Sequence, residues 1–457
     1  MKEIHTVGVI DIGKTNAKVA AVDARLLKEV AVRTRPNTVL REGPYPHYGI
    51  DGHWAFILQS LRDLNEEVGL DALSVTTHGA CVVLLDGEGG LAAPVLDYEH
   101  DGPDSLTAAY DAIRPAFAET GSPRLGMGLN AGAQIFWQLD RDAGLKDRVR
   151  QVLTYPQYWS FRLSGVAANE VTSLGCHTDL WDPNAGRYST LVESLGLAGK
   201  MAPVRLAGDC LGPVTEAVRK ATGLAADTPV YCGIHDSNAS LYPHLRRREA
   251  PFSVVSTGTW VIALSIGGKP VTLDPERDTL INVNALGYPV PSARFMGGRE
   301  FELVCGGLEG ELTDADWDQV LREKVFLLPA IEQRSGPFQG RKGGWSVPED
   351  QLTPGMRKAA VSFYLALMTA ECLRMIGADG PVIVEGPFAR NELYRSMLEA
   401  AAGRPVIAEG SSATGTSIGA AMLALGQVSG DATVVAAQVL ADPVLIDYAR
   451  AWRSAVN

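Results

Sequence analysis

The chain has 457 residues, enough for two or three domains that each bury a core. Hydrophobic residues make up 46% and charged residues 21%, an ordinary globular balance. A net charge of −12 argues against general binding to nucleic acid or anionic membranes, which need a basic face, but leaves room for a local site for a small polyanion. The six cysteines form no C-x-x-C pair, so no zinc or redox motif is indicated; scattered thiols fit core positions in a reducing cytosol. No signal-peptide pattern and no run of 18 apolar residues is expected to direct the chain to a membrane.

The first element is a hairpin. Val7–Ile10 and Ala17–Val22 read as paired strands around the polar turn Asp11-Ile12-Gly13-Lys14-Thr15-Asn16. Backbone N–H groups and hydroxyls of such a turn can face a phosphate, and an Asp at the strand end can hold Mg²⁺ directly or through water. Lys14 and Lys18 would add positive charge. The same residues also make a plain hairpin with a polar turn. Next, Trp54–Leu64 has apolar residues at helical spacing. Leu73–Thr76 and Cys81–Leu85 are short apolar runs around Thr77-His78-Gly79. Leu145–Leu153 and Pro156–Leu163 are predicted as helices. Thr228–Cys232 is predicted as a strand that runs into Gly233-Ile234-His235-Asp236, with a helix over Ser237–Leu245. Asp236, between strand and helix, is placed to act as a general base on a hydroxyl that attacks phosphorus; it is also placed to cap the helix.

A domain boundary is predicted over residues 246–250. Beyond it, Phe252–Ile266 repeats the strand–turn–strand pattern, with Ser256-Thr257-Gly258-Thr259 as the turn. Hydroxyls around one Gly suit phosphate oxygens, and they also suit an ordinary Ser/Thr turn. Two such turns, one in each half, would hold a polyphosphate from both sides. Met356–Ile376 reads as a long helix and Val382–Glu385 as a buried strand ending at Gly386. The segment Gly386-Pro387-Phe388-Ala389-Arg390-Asn391 is a candidate ligand loop, followed by a helix over Glu392–Ala402 that stops at Gly403-Arg404-Pro405. Thr414–Leu425, preceded by Ala413, is a small-residue helix that would pack closely on another backbone or a flat ring. The alternation predicts α/β domains with mixed sheets.

In this order, over nearly the whole chain, the motifs resemble the FGGY family of carbohydrate kinases, which has the actin/hexokinase-type ATPase fold. D-I-G-K-T-N is similar to its first phosphate turn, G-I-H-D-S-N-A-S to the segment with its catalytic aspartate, and S-T-G-T-W to its second phosphate turn. E-G-P-F-A-R-N is similar to its adenosine loop, with Pro387 and Phe388 where further glycines are usual. The resemblance implies two actin-like (ribonuclease H-like) α/β domains, residues 1–247 and 248–457, with an ATP and substrate cleft between them. It implies Asp236 as the base and Asp11 as the group that positions Mg²⁺. Gly13, Lys14, Thr15 and Asn16, with Thr257, Gly258 and Thr259, would hold the ATP phosphates; Gly386 and Asn391 would lie near adenosine. His78, Gly79, Gln134, Trp137 and Glu170 become candidate sugar ligands beside Asp236, with Asp97-Tyr98-Glu99 and His177 as further polar candidates; His78 and His177 also read as structural residues.

The residues around P-Q-Y-W-S-F-R-L-S-G and D-x-G-x-T-N resemble the rhamnulokinase and fuculokinase branch. The implied function is ATP-dependent phosphorylation of a ketose such as L-rhamnulose or L-fuculose. A kinase of ribulose, xylulose or a glycerol-like polyol is an alternative, as is an actin-fold ATPase that serves as a scaffold. The expected partners are small molecules, without nucleic acid or membrane; a homodimer in the cytoplasm is compatible with the family.

Overall fold

The computed structural model describes residues 3–409, 415–426 and 442–456. The chain divides into two compact units. The first holds residues 3–247, 281–289 and 415–426, the second residues 248–280, 290–409 and 442–456.

In the first unit Thr6–Ile12 (β1) and Asn16–Asp23 (β2) pair antiparallel, with Ile12 opposite Ala17. Lys28–Pro36 (β3) continues the sheet on the other side of β2, alternating between half-buried and exposed positions as an edge strand does. The helix Ile50–Val68 (α1) then leads to Ala72–Thr77 (β4), which runs parallel to β1 and is buried at every residue. Val82–Leu85 (β5) pairs antiparallel with Gln151–Thr154 (β6), and Tyr155–Ser164 (α2) follows. Cys210–Pro213 (β7), Pro229–Tyr231 (β8) and the two-residue Ile234–His235 (β9) lead to Asp236–Arg247 (α3). The sheet order is β7-β8-β4-β1-β2-β3, with β9 also on β4.

Both faces of β1 are apolar because both are covered. Ile10 and Ile12 pack with Ile57, Leu61 and Leu64 of α1. Val7 and Val9 pack with Ala239 of α3 and with Ile418, Ala420 and Ala421 from the helix Gly415–Met422. That helix falls within the sequence-predicted Thr414–Leu425; Ala413 and Thr414 lie outside the described residues.

One predicted helix is corrected. Over Leu145–Leu153, only Leu145–Arg148 is helical, and residues from Gln151 form β6. Leu145, Val149, Val152 and Leu153 satisfy helical spacing, but Val152 and Leu153 also lie opposite Leu84 and Val83 of β5, and that long-range pairing decides the outcome.

The second unit repeats the plan. Phe252–Thr257 (β10) and Val261–Ile266 (β11) form the antiparallel hairpin, and Pro289–Phe295 (β12) pairs antiparallel with β11. Pro354–Met375 (α4) is capped by the Thr353 hydroxyl, which accepts from Met356 N at 3.0 Å. Val382–Glu385 (β13) runs parallel to β10, Glu392–Ala402 (α5) follows, and Val406–Ala408 (β14) runs parallel to β13. Five strands thus lie in the order β12-β11-β10-β13-β14, matching β3-β2-β1-β4-β8. Phe363, Tyr364 and Leu367 of α4 form the centre of this core with Met397 and Leu398 of α5 and Trp452.

Cys81, Cys176, Cys232, Cys305 and Cys372 are buried and Cys210 is exposed. Among the described residues, no helix is long and apolar enough to cross a membrane.

The Gly415–Met422 helix reaches its position because Gly419 has no side chain: a Cβ there would stand 1.7 Å from the Ala239 carbonyl oxygen of α3. Gly419→Ala must push the two helices apart and is expected to lower unfolding stability by about 1–3 kcal/mol, measured by urea denaturation.

Candidate active site

The first unit gathers its polar side chains where β1 and β4 end. The pairing of β9 on β4 sets Ile234 beside Thr76 and His235 beside Thr77, so Asp236 opens α3 just past the strand that delivers His78. Asp236 Oδ1 accepts from the Ser237 amide at 2.6 Å and hydroxyl at 3.3 Å, and lies 3.1 Å from His235 Nε2. The amide belongs to the adjacent residue, whereas a capping side chain takes the amide two or three residues on. About a third of the Asp236 side chain stays accessible to solvent (33%), yet atoms crowd the carboxyl closely enough that burial raises its pKa, with His78 opposing the rise.

His78 is buried, and its Nδ1 lies 2.9 Å from the Gly79 carbonyl oxygen. A carbonyl only accepts, so Nδ1 carries the proton and Nε2 presents a bare lone pair. Nε2 is buried without a partner. Tyr48, Tyr98 and Tyr155 surround the ring at centroid distances of 5.2, 5.2 and 5.1 Å. Burial lowers the pKa of His78 and of His235 to about 4, so both imidazoles are neutral at physiological pH.

The first turn is built for exposed donors. Gly13 N donates to Asn16 O at 2.9 Å, and Thr15 and Asn16 are exposed. Asn37 braces the turn from behind: its amide donates to Thr15 O and its side-chain Nδ2 to Gly13 O, both at 2.8 Å. His53 Nε2 meets Asn37 Oδ1 at 2.8 Å and fixes that orientation. Asp11 lies 3.3 Å from Lys18 Nζ, and Ser417 Oγ donates to it at 3.4 Å. Burial raises the Asp11 pKa; Lys18 opposes this and the charge of Asp236 adds to it.

Several predicted ligands have other contacts. Lys14 Nζ pairs with Asp97 and, at 3.1 Å, with Glu99, rather than extending from the turn. Gln134 is buried and donates to the carbonyls of Ala80 and Gly128. Trp137 is buried edge-on against Tyr45 and His100. Glu170 is fully buried and accepts from the amides of Thr172 and Ser173 at 2.8 and 3.1 Å and from both of their hydroxyls. Thr172 Oγ1 in turn accepts from His235 N at 3.1 Å, so Glu170 stands behind the Asp236 segment as its support. Gly79 lies under the His235 ring.

In the second unit the turn after β10 leaves Ser256, Gly258 and Thr259 exposed while Thr257 is buried. Thr257 Oγ1 donates to Glu385 O and accepts from Phe388 N at 3.1 Å, which ties the turn to the loop after β13. Gly386 has φ 83°, and a Cβ there would lie 2.0 Å from Thr257 O, so only glycine fits. Asn391 caps α5 through Tyr394 N at 3.1 Å and donates to Ser362 Oγ at 2.9 Å, which occupies both ends of its amide. The guanidinium of Arg294 lies 4.8 Å above the Trp260 ring.

Asn37, His53, Tyr48, Tyr155 and Ser417 were not legible as site residues, because each reaches the site through packing of segments distant in sequence. Asn37 and His53 flank no motif and carried no local signal.

The N-terminal domain model of the FGGY family of carbohydrate kinases matches residues 6–242, and the C-terminal domain model of carbohydrate kinase FGGY matches residues 249–433. An L-fuculokinase of Salmonella typhi is 23% identical over 269 residues, covering 57% of this chain; the chain spans 56% of that relative's length. A rhamnulokinase of Bacteroides thetaiotaomicron is 24% identical over 463 residues, covering 93% of this chain and 91% of the relative. The crystal structure of a carbohydrate kinase from Novosphingobium aromaticivorans superposes with a TM-score of 0.89 at 33% identity, covering 98% of this chain and all of that one (100%). The chain shares the two-domain α/β fold of these sugar kinases.

Burial pushes the Glu170 carboxyl up to about 7, against hydrogen bonds from Thr172 and Ser173 that hold it down. Its folded pKa thus exceeds the ordinary 4.5, so the folded state binds the extra proton between about pH 4.5 and 7 and Glu170's contribution to stability is lost as pH rises through that window. Relative to wild type, Glu170→Gln is expected to gain up to roughly 3 kcal/mol of unfolding stability between pH 5 and pH 8, as read from urea curves at each pH.

Proposed function

The chain belongs to the FGGY family of carbohydrate kinases, and on that footing we propose that it transfers the γ-phosphoryl group of ATP to a hydroxyl of a ketose. The ketose is a deoxy-ketohexose or ketopentose of the kind that includes L-rhamnulose and L-fuculose. The names of the relatives from Salmonella typhi and Bacteroides thetaiotaomicron support that choice of sugar.

The observation that carries the reading is the Asp236 carboxylate: solvent reaches it, burial raises its pKa, and it stands beside a neutral His78 whose Nε2 has no partner. A sugar hydroxyl donating to His78 Nε2 would satisfy that buried acceptor. Asp236 takes the proton from the attacking hydroxyl as its oxygen bonds to the γ-phosphorus. The bond from phosphorus to the β–γ bridging oxygen breaks, and ADP leaves with that electron pair. The raised pKa makes the carboxylate a stronger base than an ordinary aspartate.

The turns of Gly13, Thr15 and Asn16 and of Thr257, Gly258 and Thr259 are assigned to the ATP phosphates, with the exposed Thr15, Asn16 and Thr259 offering the donors and Gly13, Thr257 and Gly258 shaping the turns. Gly386 and the loop to Asn391 are assigned to adenosine. Residues 1–247 would thus carry the sugar and the base, and residues 248–457 the nucleotide. Mg²⁺ fits the donor set at Asp11, because burial raises the energy of this carboxylate's charge, Lys18 offsets only part of that cost, and the charge of Asp236 adds to it. Bound there with ATP, Mg²⁺ would neutralise charge on the transferring phosphoryl group.

An ADP-release assay with Mg·ATP against L-rhamnulose, L-fuculose, L- and D-ribulose, L- and D-xylulose and glycerol tests the reading. Turnover stimulated by one or two related ketoses is expected; ATP binding without stimulation by any of them would favour a scaffold role. Asp236→Asn is expected to lower kcat by about 10²–10⁴-fold while sparing ATP affinity. Wild-type kcat should also fall on the acid side, with an apparent pKa above the ordinary 3.8 of an aspartate.

A further inference from the structure

Lys14 is the residue at which the expected and observed contacts differ most. It sits inside the first phosphate turn, yet its ammonium turns back on the unit that carries it. Nζ pairs with Asp97 and Glu99, lies 3.5 Å from Tyr48 Oη, and sits 4.6 Å above the centre of the Tyr98 ring. These partners take up the capacity of an ammonium group, which has three N–H donors.

We propose that Lys14 is a positioning residue for the sugar, holding the Asp97–Glu99 loop as a wall of the sugar pocket, and is not a ligand of the ATP phosphates. The inference rests on the kinase reading above and deepens it.

Three observations carry it. Asp97 is about nine-tenths buried, and its Oδ1 otherwise accepts only from Tyr48 Oη at 3.1 Å and Glu99 N at 3.2 Å. Swinging Lys14 toward a phosphate would strip a buried carboxylate of its only charged partner among the described residues, which is costly. A phosphate drawn to Lys14 would also meet two carboxylates beside it, and the repulsion cancels the attraction. Finally, the rings that flank Lys14 are the rings that flank His78: Tyr98 lies 4.6 Å from the ammonium and 5.2 Å from the His78 ring, and Tyr48 lies 5.5 and 5.2 Å from them. A continuous layer of side chains therefore joins Lys14 to the unpartnered Nε2 and to Asp236. With Asp97, Glu99 and Asp236 against one lysine, that layer is net negative, which suits a neutral polyol and disfavours a sugar acid.

Lys14→Met, which keeps the length of the stem without its charge, separates the two roles. With the best ketose of the panel, the sugar KM is expected to rise by about 10–100-fold. The KM for Mg·ATP and its Kd measured by calorimetry without sugar should stay within about twofold, and Lys14→Arg should recover most of the sugar KM. Glu99→Gln, at a half-exposed position that the fold tolerates, should show the same split. An unchanged sugar KM in both variants, or an ATP KM or Kd that rises as much as the sugar KM, overturns the proposal. If wild-type protein turns over no ketose, the kinase reading fails, and the calorimetric arm alone decides Lys14. An unchanged Mg·ATP Kd then supports its exclusion from the phosphate site, and a tenfold weaker one overturns it.

Discussion

Two residue pairs, Ile234 with Thr76 and His235 with Thr77, determine where the candidate site of the first unit forms. Strand β9 is too short to contribute much stability. Its register on β4 nonetheless places the start of α3 against the end of β4, and so places Asp236 against His78. Several other side chains of the first unit are arranged in relation to that junction. Glu170 and Thr172 hold the His235 amide from behind, Gly79 leaves room for the His235 ring, and the Tyr48, Tyr98 and Tyr155 rings enclose His78.

The first unit also concentrates carboxylates that burial makes uncomfortable. Asp11 and Asp236 both have raised pKa values for that reason, and the two lysines nearest the first turn are already engaged, Lys18 by Asp11 and Glu29 and Lys14 by Asp97 and Glu99. A polyphosphate brought to such a surface is better met by neutral donors, the amides and hydroxyls of a turn, together with a cation that travels with the ligand. Asn37 and His53 make sense in that light, since they hold the carbonyls of Gly13 and Thr15 and so fix the shape of the turn.

Much of this was legible in the sequence because the relevant signals are local. A strand, a Gly-containing polar turn and a second strand occur twice, and both hairpins form with the same neighbours in the same order. Asp236 stood out because strand, Gly and helix signals converge on it. The less legible residues are those whose side chains could go either way. Lys14 reads as a phosphate ligand from its position in the turn, and only the return of Asp97 from the far side of α1 and β4 redirects it. Glu170 reads as a polar residue in a pocket segment, whereas four local donors make it a buried support. Asn391 has the spacing of a ligand and the contacts of a helix cap. The stretch after Leu145 shows the same limit for backbone, since its apolar spacing fits a helix and a distant strand decides for a sheet.

The helix Gly415–Met422 completes the first unit although it comes from near the other end of the chain. It supplies Ile418, Ala420 and Ala421 to the cover over Val7 and Val9, and Ser417 to Asp11. On a ribosome, the earliest strands to emerge are therefore among the last to be sheathed. Until nearly all of the polypeptide has been made, one face of β1 lacks part of its cover and presents valines to water. The N-terminal half thus has to wait through the synthesis of the second unit in a partly open state, a interval in which holding chaperones can bind and in which exposed strands are most prone to pair with the wrong chain.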